Sequence, residues 1–200
     1  MQAASRTAFR TSQITKIAIL SALAGLLMYV EFSVPFVPPF LKLDISEIPA
    51  LIGAFALGPV SGIIIELIKN LIHLPVTSSL GVGEIANFIV GSVFVGSAGL
   101  IYRRRRTKSG ALIAMLTGTL CMAAVASLSN YFFLIDFYAK LFHVSIDEIV
   151  KMTTKVNALV KDFKALIVFA FLPFNIFKGL LVSLVTVLLY KRVSPILHRK

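Results

Sequence analysis

Charge is scarce in this chain, and acidic charge scarcer still. Only 14% of the 200 residues are charged, nine of them Asp or Glu against 20 Lys or Arg. Soluble domains carry about a quarter charged residues, so the composition excludes an ordinary water-soluble fold. Cysteine occurs once, which excludes an intrachain disulfide; Cys121, set among Leu120, Met122 and Ala123, reads as a small packing residue. No phosphate-cradling glycine loop, zinc-ligand spacing or nucleophile beside a base is present. ATP hydrolysis within this chain is therefore not expected, and no catalytic residue, metal ligand or cofactor is assigned. His73, His143 and His198 are scattered near predicted span ends or in loops and read as interfacial. No internal repeat is visible, which argues against an inverted-repeat carrier.

What the chain has in excess is apolar surface: 58% of residues are hydrophobic and the mean hydropathy is +0.91. This predicts an all-α integral membrane protein, and 200 residues suit one bundle of six spans at roughly 20 residues each. The net charge of +11 and pI of about 10.1 would suggest nucleic acid in a soluble protein. Here the basic residues cluster in tails and short loops beside apolar runs. That is the positive-inside pattern, and it names the lipid bilayer, not nucleic acid, as the partner. The stretch from Ile17 to Val30 follows Arg6, Arg10 and Lys16 but lacks a small-residue cleavage site before Glu31, so it reads as a retained span.

The periodicity predicts a first helix over Ile14–Phe32, then an irregular proline-bearing loop, then a short second helix ending near Leu57. Ser46 or Asp44 is placed to cap that second helix, and Glu47 suits its dipole. Gly58-Pro59 turns the chain into a third helix over Val60–Leu74; a fourth covers Glu84–Tyr102 and a fifth Ala111–Ile135. A longer connection, 136–164, carries the capping box Ser145-Ile-Asp-Glu148 and an amphipathic interfacial helix. The sixth helix spans Lys164–Lys191, with a kink expected at Pro173. The tail 1–13, the basic loop 103–108 and the C-terminal tail are strongly basic, whereas the outer connection holds five lysines against four carboxylates. Six spans then place both termini in the cytoplasm and the loop 33–46 outside.

One residue breaks the apolar pattern of the sixth helix. Between Ala165 and Tyr190 the only charge is Lys178. An ammonium near the bilayer centre costs about 2.5–3.5 kcal/mol on insertion scales. At ~1.5 Å per residue it lies too far from either end to snorkel, so it needs a partner or a wet cavity. Asn175 shares its face at i, i+3. Asn87 and Asn130 add carboxamides on two further helices. Each amide suits either an interhelical hydrogen bond or the edge of an imide-like ligand. Phe40, Phe132, Phe174 and Phe177 are candidate walls for a flat apolar ring, and the Thr77–Ser79 loop a candidate polar mouth. Glu66 and Lys69 form either a structural pair or part of an ion relay, and Ala18 and Ala22 a face that admits close helix approach.

The run Phe40-Leu-Lys-Leu-Asp-Ile-Ser-Glu-Ile-Pro-Ala-Leu-Ile-Gly53 resembles the riboflavin-binding S components of energy-coupling factor (ECF) vitamin transporters. The resemblance continues through Gly58-Pro59, Glu66-Leu-Ile-Lys-Asn70, Gly83-Glu-Ile-Ala-Asn87, Ser129-Asn-Tyr131 and Pro173-Phe-Asn-Ile-Phe-Lys178. It implies a substrate-binding subunit in a prokaryotic plasma membrane that takes riboflavin from outside, and it leaves open whether FMN also binds. It implies a transmembrane T component and two ATPase subunits as partners. Ligand contacts would fall on Leu41, Asp44, Gly83, Glu84, Asn87, Asn130, Asn175 and Lys178, and docking on Ala18 and Ala22. The competing readings are an S component for another vitamin, a stand-alone ion-coupled carrier and a lipid-modifying membrane enzyme.

Overall fold

The computed structural model describes residues 11–35 and 37–197. Arg6, Arg10 and the rest of residues 1–10, and the tail 198–200, lie outside the described residues. Helix α1 (Thr11–Met28) turns Ile17, Leu20, Ser21, Ala24 and Met28 inward and leaves Ile14, Ile19, Leu23 and Leu26 exposed. A helix apolar on every side suits lipid on one face and protein on the other. It ends before the expected Phe32, because Phe32–Ser33 (β1) pairs antiparallel with Lys42–Leu43 (β2). The proline cluster is thus the loop of a small hairpin; the paired residues themselves contain no proline, so every ladder donor is available.

Helix α2 (Glu47–Leu57) is short and buried from Glu47 through Phe55, so it sits inside the bundle. Gly58, at φ +106°, makes the turn into α3 (Pro59–His73), a backbone conformation that L side chains rarely adopt. A single tight turn over Leu74–Val76 precedes α4 (Val82–Arg104). Next comes α5 (Lys108–Ser129), a widened π turn over Asn130–Leu134, and α6 (Ile135–Leu141). The helical path therefore runs past the predicted end at Ile135, and the outer connection starts near Phe142 instead of Asp136. The extension is stabilised because Ile135 and Ala139 bury against Ile149, Val150, Val160 and Leu166 of the following segment.

Helix α7 (Ile146–Thr154) starts at the expected capping box: Ser145 Oγ accepts from Glu148 N at 3.2 Å, and Glu148 Oε2 accepts from Ser145 N at 2.7 Å. Helix α8 (Phe163–Leu166), a second π turn over Ile167–Phe171 and α9 (Leu172–Leu197) complete the chain. Pro173 removes the donor that would satisfy Phe169 O. Asn157 Nδ2 supplies it from the outer connection at 3.1 Å. The strain expected at Pro173 is taken up by the widened turn before it.

Among the described residues, five stretches are long and apolar enough to cross a membrane: Thr11–Met28, Pro59–Val76, Val82–Arg104, Lys108–Leu141 and Phe163–Tyr190. Helix α2 is apolar but shorter. Helix α4 packs against α3 and α5, and α9 against α5 and α2. Leu51, Ile65, Phe94, Val95 and Met122 meet at the centre of the bundle.

Candidate functional site

Lys178 on α9 is 6% exposed. Its Nζ lies 2.8 Å from Asp44 Oδ2 and 2.8 Å from Glu47 Oε1. The buried cation thus has carboxylate partners from the loop before α2 and from the first residue of α2. A second ammonium extends the network: Lys69 Nζ stands 3.2 Å from Glu47 Oε1 and 2.9 Å from Glu66 Oε2, and donates to Ser46 Oγ at 2.7 Å. Ser46 occupies the N-cap position without capping. Its backbone N donates to Asp44 Oδ1 at 2.9 Å, and its hydroxyl donates to the same oxygen. Burial alone would push the Asp44 carboxyl up; the Lys178 and Lys69 ammonium groups override it and hold it well below the usual carboxylate range.

Helix α4 closes over this network at Gly91, where an added Cβ would come within 2.5 Å of Glu66 Oε2. Asn87, one turn before it, donates to Glu47 Oε1 at 3.5 Å and accepts from Asn70 Nδ2 at 3.4 Å. Glu66 and Lys69 are the expected i, i+3 pair, fully buried. They act as supports of the Lys178 site through the shared Glu47.

The cavity above Lys178 has two unlike walls. One is polar and comes from the end of α1, the hairpin, α3 and α4. There Lys42 Nζ meets Glu31 Oε2 at 2.6 Å, and His73 Nδ1 meets Glu84 Oε1 at 2.8 Å, with His73 Nε2 3.7 Å from Glu31 Oε1. Thr77 and Ser79 hydroxyls donate to Glu84 Oε2 at 2.8 and 3.1 Å, and Ser79 Oγ accepts from Gly83 N at 2.8 Å. The other wall is apolar: Phe40 and Leu41 from the hairpin loop, Met122 and Leu134 on the α5 side, Phe171 and Phe174 on the α9 side. Both π turns, Asn130–Leu134 and Ile167–Phe171, border this wall.

Two amides stand on the apolar wall. Asn130 Nδ2 donates to Ala126 O and Asn175 Nδ2 to Phe171 O, each at 2.8 Å and each one turn back on its own helix. That fixes the orientation of both amide groups, so both Oδ1 atoms remain as acceptors for a ligand. Leu41, Asp44, Gly83, Glu84, Asn87, Asn130, Asn175 and Lys178 all line this one cavity. Ala18 and Ala22 do not; both are exposed on α1.

The model of the ECF transporter substrate-specific component family matches residues 12–190. The chain belongs to that family. It is 35% identical over 190 residues to the riboflavin transporter RibU of Staphylococcus aureus (strain TCH60), covering 95% of this chain and 94% of that one. It is 29% identical over 189 residues to the riboflavin transporter FmnP of Bacillus subtilis (strain 168), covering 93% and 94%. A solved structure described as the S component of a bacterial ECF transporter superposes with a TM-score of 0.73 at 33% identity, over 94% of this chain and 98% of that one.

Two expectations need correction in this S component. Phe132 and Phe177 are 67% and 51% exposed and face outward, not into the cavity. Phe177 precedes Lys178, so it points about 100° away around the helix. His73 stands at the end of α3, buried at 6% because the carboxylates of Glu84 and Glu31 on neighbouring elements draw it inward. Sequence reasoning also missed Glu31 and Glu47 as site residues. Glu31 followed an apolar run, a signal that a retained charge had a task, and Glu47 was explained by the helix dipole alone.

Proposed function

We propose that this S component binds riboflavin in the cavity above Lys178 for uptake. One observation carries the reading: Lys178, Asn130 and Asn175 converge on a cavity with an apolar wall on one side and a polyol-compatible polar wall on the other. An isoalloxazine ring is a flat apolar body with one edge that alternates carbonyl, N–H and carbonyl. The apolar wall suits the ring, and the two amide oxygens with an ammonium suit the edge. Lys178 donates to two carboxylates, and an ammonium has three N–H groups; the third is available to a flavin carbonyl. Leu41 and Phe40 close the site from the hairpin loop, while Gly83, Glu84, Asn87 and Asp44 shape the polar side for the ribityl hydroxyls. FMN is a second candidate ligand. The similarity to proteins named riboflavin transporters supports this choice over another vitamin.

The family supports the rest of the reading. The chain crosses the bacterial plasma membrane six times, with the short α2 as the second crossing. It forms one membrane domain, with the tail 1–13 and loop 103–108 cytoplasmic and the loop 33–46 and the 136–164 region outside. The exposed Ala18 and Ala22 face of α1 meets a T component, and two ATPase subunits supply the energy, so the chain itself is a transport subunit and not an enzyme.

The test is direct. Protein purified in detergent is expected to carry a flavin absorption spectrum, and calorimetric titration to show tight riboflavin binding. Asn130→Ala should weaken binding about tenfold, as loss of one buried hydrogen bond does, and Lys178→Ala by more. Colourless protein with no riboflavin heat, or wild-type affinity in both variants, defeats the proposal.

A further inference from the structure

Charge at the mouth of the cavity is arranged differently from charge at its floor. The floor network is closed, with Lys178 and Asp44 side chains 8% and 5% exposed. At the mouth, Lys42 and Glu31 side chains are 37% and 24% exposed, and both line the cavity. The hairpin register brings them together: Lys42 pairs with Ser33 across the two strands, so its side chain lies beside Glu31, two residues earlier. The same Glu31 also reaches toward His73 through its other oxygen, at 3.7 Å. One carboxylate therefore covers both groups at the mouth able to carry positive charge. Glu84 adds a second carboxylate, held by His73, Thr77 and Ser79.

We infer that Glu31 is a specificity-determining residue that favours a neutral polyol terminus over its phosphate ester. The inference rests on the riboflavin reading and deepens it. Ribityl hydroxyls accept and donate equally well beside carboxylates. A phosphate brings about −1.5 to −2 charges to a mouth where Glu31 cancels the Lys42 charge and the Glu84 carboxylate is left in excess. Discrimination of this kind comes from a built-in repulsion against the unwanted ligand, not from a better contact to the wanted one. Removing the Glu31 charge while keeping its shape exposes the Lys42 ammonium to the ligand and converts the mouth from repelling to attracting.

The experiment titrates flavin-free protein with riboflavin and with FMN by quenching of flavin fluorescence, and reads the ratio of the two dissociation constants. Wild type should prefer riboflavin. In Glu31→Gln the ratio should move toward FMN by roughly tenfold, as expected for one charge at close range. Adding Lys42→Met to that variant should reverse most of the shift. A measurement without any variant gives the same answer: wild-type preference should narrow as salt rises from about 0.01 to 1 M, because the Debye length falls from about 30 to 3 Å. A wild-type ratio near one, or a ratio that neither Glu31→Gln nor salt alters, overturns the assignment while leaving riboflavin binding intact. Failure of wild type to bind riboflavin overturns the functional reading and this inference with it.

Discussion

Two sets of charges serve the same cavity, one at and beneath its floor and one at its mouth, and they differ in how tightly they are closed off. At the floor, Asp44, Glu47 and Glu66 share Lys69 and Lys178 through ion pairs of 2.8–3.2 Å with almost no solvent access. At the mouth, Glu31 pairs with the part-exposed Lys42 and reaches toward His73, whose own pair with Glu84 is buried. Buried ions lose their hydration and persist only if every partner stays in place, so removing one leaves an uncompensated charge. Exposed pairs are screened and worth little. The floor therefore fixes the geometry of α2, α3 and α9, and the mouth is where the proposed choice between flavins would be made.

That contrast can be broken most severely at Asp44. Asp44→Asn should cost about 3–5 kcal/mol of stability, because it strips Lys178 of one carboxylate in a closed site. The pH dependence has a definite sign. The Asp44 carboxyl is held below its usual range in the folded protein, so its contribution is fully present above about pH 4 and fades as pH falls through the lowered value. Thermal unfolding of wild type and variant should thus differ by a constant amount from about pH 5 to pH 8, and converge only in stronger acid. A gap that closes on going from pH 8 to pH 5 would contradict the ion-pair account.

Gly91→Ala should have an intermediate effect. Its methyl would press on Glu66 Oε2 at 2.5 Å, against a carboxylate with no room to retreat. A loss of about 1–3 kcal/mol is expected from such overpacking, seen as a lower unfolding midpoint with flavin affinity reduced in parallel. The smallest effect belongs to the mouth. Lys42→Met should change stability by less than about 1 kcal/mol, measured by the same unfolding assay. A loss at Lys42 equal to that at Asp44 would erase the distinction between the two sets.

Much of this was legible in the residues. Lys178 announced a polar interior because no other charge interrupts Ala165–Tyr190. The capping box at Ser145 located α7, and all eight residues assigned to the site line one cavity. The hairpin was not legible, because two-residue strands flanking prolines carry no period. Nor were the π turns, and Phe132, a candidate wall by residue type alone, lies in the first of them and faces outward.

The sequence alone determined that this chain lives in a membrane and that Lys178 must be paired, because hydropathy and the cost of a bare charge in lipid are local properties. Only the tertiary structure decided with what. Asp44 stands 134 residues from Lys178 along the chain, and Glu31 meets Lys42 only once the hairpin closes. The partner of a buried charge is whichever opposite charge the packed helices bring within about 3 Å, and no spacing along the chain encodes that.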